Sequence, residues 1–149
     1  MAKIMVSGCL MGCECRYKGD HCKCEGLIDL AEKHTLIPIC PEQMGGLATP
    51  RDPAEIVGNR VISNHGRDVT EQYEKGAQTA LYLAKLNGVQ IAVLKANSPS
   101  CGKGMIYDGS VSGKKIPGNG VTAELFLSSG LYVFHENELD ALEKFLENH

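Results

Sequence analysis

Three short apolar runs, Ile4-Met5-Val6, Leu36-Ile37-Pro38-Ile39 and Ile91-Ala92-Val93-Leu94, each lead the chain to a cysteine. The first reaches Cys9 through Ser7-Gly8, the second runs straight into Cys40, and the third reaches Cys101 through Lys95-Ala96-Asn97-Ser98-Pro99-Ser100. Runs this short and this apolar read as β-strands, and the unbroken 91–94 stretch is of the kind buried on both faces of a parallel sheet. In an open α/β sheet the carboxyl ends of neighbouring strands meet at one crevice, where ligands bind. The pattern therefore predicts three thiols delivered to a single crevice from well-separated parts of the chain.

The stretches between these runs carry helical signals. Leu27, Ile28, Leu30 and Ala31 fall on one side of a helical pattern. Asp68-Val69-Thr70-Glu71 resembles a capping box, with Asp68 as N-cap and Glu71 as its partner. A helix is expected from there to about Asn87, with Ala77, Ala80, Leu81, Ala84 and Leu86 as its buried stripe and Gly88 as its stop. Strands are expected over 2–7, 35–39, 91–94 and 131–134, and further helices over 121–128 and 137–147. Residues 9–24 and 41–53 read as loops. A hairpin is expected over 56–62 around Gly58-Asn59, and another pairs Met105-Ile106-Tyr107 with Ser110-Val111 around Asp108-Gly109. This alternation defines one α/β domain over residues 1–149: a Rossmann-like, mainly parallel sheet with flanking helices and the site at the carboxyl ends of the strands.

Composition narrows the function classes. A net charge of −3 offers no general attraction to nucleic acid or anionic lipid, and no Trp with 5% aromatics disfavours a base-stacking surface. A small nucleotide needs only one or two local cations, so a small molecule is favoured over a large RNA. Neither a secretory leader nor a membrane span is visible, which makes a cytoplasmic address the expectation. In that compartment the seven cysteines are not expected to form disulfides.

Cys9, Cys13, Cys15, Cys22 and Cys24 crowd the first loop, but no Cys-x2-Cys pair of a structural zinc site is present. Nor is there a ferredoxin-type run. Cys9, Cys40 and Cys101 follow strands beside Gly or Pro, so they are the expected metal ligands, with Cys15 the substitute should one of them not serve. Three thiolates suit a [4Fe-4S] cluster with one iron left open, since soft sulfur selects iron–sulfur or zinc over hard cations.

The ordered motifs go further. Val6-Ser7-x-Cys9-Leu10-x-Gly12-x-x-Cys15-Arg16-Tyr17-x-Gly19 is followed by Cys40-Pro41-Glu42-x-x-Gly45-Gly46-Leu47-x-Thr49-Pro50-Arg51-x-Pro53-Ala54-Glu55. Asp68-Val69-Thr70, Lys95-x-x-Ser98-Pro99-Ser100-Cys101-Gly102, Ile106-Tyr107-Asp108-Gly109 and Gly118-x-Gly120-Val121-Thr122-Ala123 complete the set. Together they resemble the thiouracil desulfidase family over nearly the whole chain. The resemblance implies a [4Fe-4S] cluster bound by three cysteines, matched by motif to Cys9, Cys40 and Cys101. It also implies removal of sulfur from a thiolated pyrimidine, such as 4-thiouracil or its nucleoside or nucleotide, without net redox change.

Within that reading Glu42, held near the cluster by its two-residue distance from Cys40, is the expected general acid/base. Ser98 and Ser100 are candidates to hold the attacking water or the developing alkoxide, although Ser-Pro is also turn chemistry. Lys95, Arg16 and Arg51 are the candidate substrate-binding cations. The Gly118-Asn119-Gly120 turn offers phosphate contacts or simply a helix cap, and capping is the favoured use. Two alternatives stand beside this reading: a non-catalytic iron–sulfur or zinc-binding module, and a hydrolase with Cys101 or Cys40 as nucleophile. The hydrolase needs a nearby base, and no His lies in either motif.

Overall fold

The computed structural model describes residues 1–148. Four strands, β1 (Lys3–Ser7), β2 (Thr35–Ile39), β5 (Ile91–Leu94) and β8 (Tyr132–His135), form one sheet in the order β2-β1-β5-β8. Every pairing in it is parallel. The two other pairs are antiparallel ribbons: β3 (Ala54–Val57) with β4 (Arg60–Ser63), and β6 (Met105–Tyr107) with β7 (Lys115–Pro117). The α/β class and its parallel sheet are as expected.

Side-chain alternation divides the core between the two faces of the sheet. Ile4 and Val6 of β1 join Ile91 and Val93 of β5, Leu27 and Leu142 on one face. These last two come from α1 (Glu25–Ile28) and α5 (Leu139–Glu147). On the other face Met5, Ala92 and Leu94 pack with Ala80, Ala84, Ala123 and Phe126. The last four belong to α3 (Thr70–Leu86) and α4 (Val121–Ser128). Both faces of β5 are covered, which is why its sequence shows no polar alternation. Among the described residues no helix is long and apolar enough to cross a membrane.

Several local expectations are corrected. The stretch after Cys40 is not all loop: Pro41–Met44 is a short helix, α2, with Pro41 in its first turn, where the missing N–H costs nothing. The capping box at 68–71 does not form. Helix α3 starts one residue later, with Val69 at the N-cap, while Asp68 Oδ1 accepts from Thr70 N at 2.9 Å. The Thr70 hydroxyl is turned to the hairpin, accepting from Val61 N at 2.8 Å. The second ribbon does not pair with Ser110-Val111. Tyr107 registers with Lys115 instead, because Asp108 Oδ1 accepts from Ser110 N and Glu55 Oε1 accepts from Gly109 N and Val111 N. Those bonds spend residues 108–112 on a wide turn. The 27–31 pattern is shorter than a full helix, since α1 tightens into a 3-10 turn over Asp29–Glu32.

Candidate active site

Strand order sets where a crevice opens. The chain leaves β1 for β2 on one side and later adds β5 on the other, so the connections diverge at the carboxyl ends of β1 and β5. A crevice opens where they do. It is a cavity of about 310 Å³, and Cys9, Cys15, Cys40 and Cys101 all line it. Cys9 arrives on a 3-10 turn over Gly8–Met11 directly after β1, and Cys40 occupies the N-cap of α2 directly after β2. Cys101 follows the Asn97–Ser100 turn beyond β5.

That last turn is anchored by α4. The helix directs its first N–H groups at the carbonyls of the cysteine loop: Val121 N to Pro99 O at 2.9 Å, and Thr122 N to Ser100 O at 2.8 Å. Gly120 N adds a bond to Gly102 O at 2.6 Å. The Gly118-Asn119-Gly120 turn is therefore a cap that holds the loop, with Gly118 N and Gly120 N donating to Gly104 O and Gly102 O. Ser98 Oγ accepts from Ser100 N at 3.1 Å and Cys101 N at 3.0 Å, and Ser98 also lines the cavity. Ser100 is fully buried and shares a 2.8 Å hydroxyl bond with Thr122. It also hydrogen-bonds the Cys101 thiol. The cavity lining does not include it, so its place is behind the cysteine loop.

Cys9, Cys15 and Cys40 are close neighbours. Cys15 hydrogen-bonds the thiols of Cys40 and Cys9, and Cys40 Sγ donates to Cys15 O at 3.6 Å. Burial, then repulsion from Glu42 and Cys40, outweighs hydrogen bonds from Ser7 and Ser100 and pushes the Cys101 thiol up to about 12. The Cys15 thiol rises to about 11: its bond to Cys40 lowers it, but its bond to Cys9 and burial raise it further. Cys40 is raised by its bond to Cys15 and by burial. Protonated thiols with no histidine in the lining are a poor nucleophile site, which weighs against the cysteine hydrolase.

Glu42, in the first turn of α2, faces the same cavity. Its Oε2 accepts from Arg51 Nε at 2.9 Å and from Tyr73 O–H at 3.1 Å. Burial, and then the neighbouring carboxylate, raise the Tyr73 phenol well above its usual range, so it stays a donor. Burial alone would lower Arg51, but the charge and hydrogen bond of Glu42 raise it. No hydrogen bond among the described residues ends on Oε1, and no buried side-chain oxygen among them lacks a partner. Oε1 is therefore wet, open to the cavity.

The candidate substrate cations are all paired. Arg51 also donates through Nη1 to Thr49 Oγ1 at 3.0 Å and through Nη2 to Cys15 O at 3.0 Å, so it ties the first cysteine loop and α2 to its own loop. Lys95 Nζ pairs with Glu136 Oε2 at 2.9 Å, while Glu136 Oε1 accepts from Ala96 N. Arg16, at the rim, pairs with Asp20 at 3.1 Å. Sequence reasoning missed Tyr73, Ser7 and Glu136. The signal for Tyr73 was present: a Tyr in the buried stripe of a helix needs a partner for its hydroxyl.

Four sulfur donors on one cavity, with carboxylates as the other anionic groups in its lining, are the chemistry of a soft metal group rather than a hard cation. Among the described residues no three of His, Cys, Asp and Glu are disposed around a single metal ion. The thiols line a cavity wide enough for a polynuclear group. The donor set thus fits an iron–sulfur cluster and gives no ready-made tetrahedral zinc site.

Such a crevice, with thiols at the strand ends and a clamped carboxylate in its wall, defines an α/β enzyme built around a soft-ligand metal group. The sequence profile of the 2-thiouracil desulfurase family matches residues 4–138. A solved structure of a [4Fe-4S]-dependent thiouracil desulfidase, TudS, superposes with a TM-score of 0.95 at 40% identity, covering 100% of each chain. A Bacillus subtilis (strain 168) protein, YbbK, described only as uncharacterized, is 46% identical over 147 residues, spanning 92% of this chain and 97% of its own. The chain belongs to the 2-thiouracil desulfurase family. The resemblance drawn from the motifs is thereby borne out, together with the enzyme class and the fold.

Proposed function

We propose that this protein removes sulfur from a thiolated pyrimidine by hydrolysis, giving the oxo-base and hydrosulfide with no net redox change. The observation that carries this reading is the meeting of Cys9, Cys40 and Cys101, from three strand ends, on the cavity that Glu42 also faces. Cys9, Cys40 and Cys101 would hold a [4Fe-4S] cluster, which when bound supplies a thiophilic Lewis acid that polarises the C=S bond. The chain's own groups supply the remainder. Glu42 Oε1 takes a proton from the water that attacks the N-deprotonated, thiolate form of the pyrimidine and returns it to the ring nitrogen; as the C–S bond breaks, the remaining hydroxyl proton leaves with the sulfur as hydrosulfide. Arg51 and Tyr73 fix Oε2, so the carboxyl presents one oxygen in one orientation. Ser98, whose oxygen accepts two backbone N–H groups, retains its own proton to donate into the cavity toward the oxygen that develops on the substrate. Ser100 acts from behind, by setting the Cys101 loop.

With Arg51 and Lys95 neutralised by Glu42 and Glu136, their part is to hold the walls, while Arg16, whose pair with Asp20 is the most exposed of the three, exchanges that partner at the rim for whatever the pyrimidine carries. The substrate is a small thiolated base, nucleoside or nucleotide, which a cavity of about 310 Å³ accommodates.

The test is anaerobic reconstitution with iron and sulfide, followed by sulfide release from 2-thiouracil, 4-thiouracil and 4-thiouridine monophosphate. The expected result is a brown protein that liberates sulfide. Cys40→Ala is expected to bind no cluster, and Glu42→Ala to bind it while losing about 10²-fold or more in turnover, the usual scale of a general acid/base. A colourless, zinc-loaded protein that stays inactive after reconstitution would overturn the proposal in favour of a metal-binding module.

A further inference from the structure

Among the described residues two other than glycine hold a positive φ: Val111 on the exposed wide turn, and Asn97, at 66°, in the cavity wall. Glycine and asparagine enter this left-handed region most readily, and asparagine usually stays there through an Asx turn. In that turn the side-chain oxygen accepts from the backbone N–H two residues on. Two residues beyond Asn97 stands Pro99, which has no N–H, so the bond cannot form. Ser98 caps the turn instead, accepting from Ser100 N and Cys101 N. The backbone at this position asks for no more than a glycine, so the amide needs another reason.

Asn97 is half-buried, and no hydrogen bond among the described residues engages its side chain. No buried side-chain nitrogen or oxygen among them lacks a partner, so its amide atoms reach water. The main chain beneath it is fixed on both sides. Lys95 N donates to Ser7 Oγ at 2.9 Å, Ala96 N to Glu136 Oε1 at 2.7 Å, and Gly102 N to Ser98 O at 2.8 Å. Asn97 itself bridges to Ile106 of β6. Most other polar groups of the lining are committed to one another, as in the Arg51–Glu42 and Lys95–Glu136 pairs. The Tyr17 and Tyr107 hydroxyls are not, but their rings carry the cations Arg16 and Lys115, toward solvent. A rigid backbone thus sets one uncommitted amide in the cavity wall.

We infer that Asn97 determines which base the site accepts, donating through Nδ2 to the carbonyl oxygen that a thiouracil carries besides its sulfur. The inference rests on the desulfidase reading. With the sulfur engaged and Glu42 at the ring nitrogen, that oxygen is the exocyclic group left for the protein to recognise, in 2-thiouracil and 4-thiouracil alike. Asn97 adjoins Ser98 on the loop that carries Cys101, so base recognition and chemistry share one fixed segment. A neutral amide supplies the donor without adding charge to a site that already gathers thiols and a carboxylate. A site with a donor placed for such a group disfavours an analogue that lacks it.

The experiment compares wild type, Asn97→Gly and Asn97→Asp, all reconstituted anaerobically with iron and sulfide. Both replacements tolerate the left-handed backbone. Sulfide release is measured as kcat/KM on 2-thiouracil, 2-thiocytosine and pyrimidine-2-thione, which carry a carbonyl, an amino group and a hydrogen at position 4. Crossing variant with ligand cancels the intrinsic reactivity of each base. Wild type is expected to prefer 2-thiouracil to pyrimidine-2-thione about 10-fold more strongly than Asn97→Gly does, the scale of one hydrogen bond. A carboxylate only accepts, so Asn97→Asp is expected to raise the ratio of 2-thiocytosine to 2-thiouracil about 10-fold. Calorimetry with uracil, pyrimidin-2-one and pyrimidin-4-one reads the contact without turnover. Wild type is expected to bind uracil several-fold more tightly than either analogue, and this holds the test open should a variant fold poorly. Ratios that are the same in all three proteins overturn the Asn97 assignment and leave the desulfidase reading standing. So does equal binding of the three sulfur-free bases by wild type. A reconstituted wild type that releases sulfide from none of the thio-bases, 4-thiouracil included, overturns the desulfidase reading itself.

Discussion

Glu42 shows how neighbours fix the orientation of a single side chain. Of its two oxygens, one is bonded by Arg51 and Tyr73 and the other faces the cavity. Tyr73→Phe keeps the ring in its buried place and deletes one donor. A hydrogen bond to a charged group contributes about 1.5–3 kcal/mol, so a carboxylate left with Arg51 alone samples more orientations. The expected outcome is a roughly 10-fold fall in kcat, equivalent to about 1.4 kcal/mol, with KM and the visible spectrum of the cluster unchanged. Steady-state kinetics on the reconstituted protein reads this directly, and an unchanged kcat would show that Arg51 holds the carboxyl unaided. The shared cavity of Cys9, Cys40, Cys101 and Glu42 was legible in the sequence because the three cysteines follow strand ends and Glu42 lies two residues beyond Cys40. Tyr73 was not, since its partner lies 31 residues away and meets it only in the folded chain. Arg51 and Lys95 look like free cations in sequence for the same reason: Glu42 and Glu136 meet them only in the folded chain.

Among the elements, the contact between α2 and α3 sets the position of Cys40 and Glu42. A Cβ on Gly45 would fall on Gln72 O, and one on Gly76 would fall on Pro41 O, so the two helices touch backbone to backbone. Gly76→Ala has no flexible side chain to push aside and must displace α2 itself. Overpacking of this kind costs about 1–3 kcal/mol. The expected variant is less stable by that amount in urea unfolding and also impaired in sulfide release, because the displaced helix carries the carboxylate. Full activity at reduced stability would separate the packing from the site.

The start of α3 is governed by charge instead. Hydrogen bonds from Thr70 and from Arg60 hold the exposed Asp68 carboxyl down to about 2, below its ordinary 3.8. A carboxyl lowered by folding stabilises the native state above its unfolded value, and that contribution is lost as the pH falls from near 4 through about 2. Asp68→Asn is expected to lower the urea midpoint at neutral pH, and the difference from wild type is expected to close across that acid range.

The elements most legible in sequence were those whose apolar pattern is complete in itself, such as β5 and the 17-residue α3. The short α2 was hidden in a Gly/Pro-rich stretch, although Pro41 in a first helical turn was its trace. The partner of β6 was misplaced because Asp108-Gly109 signals a tight hairpin, whereas the wide turn depends on Glu55, which lies on the other ribbon.

For the molecule as a whole, the division of labour between core and crevice predicts a local response to loss of the metal. The two apolar clusters on either face of the sheet are built from β1, β5 and helices α1, α3, α4 and α5, with the thiols gathered at the carboxyl edge. Chains much shorter than 149 residues often depend on a metal to fold, whereas this length buries a core of its own. Iron removal by an anaerobic chelator is therefore expected to abolish colour and sulfide release while leaving far-UV circular dichroism and a cooperative unfolding transition in place. Amide exchange is expected to accelerate in residues 8–24, 40–53 and 97–104, whose loops converge on the cavity, and to stay slow in β1, β5 and α3, where opening requires breaking the core. Uniform acceleration across the sheet would mean that the cluster, and not the apolar core, holds the fold together.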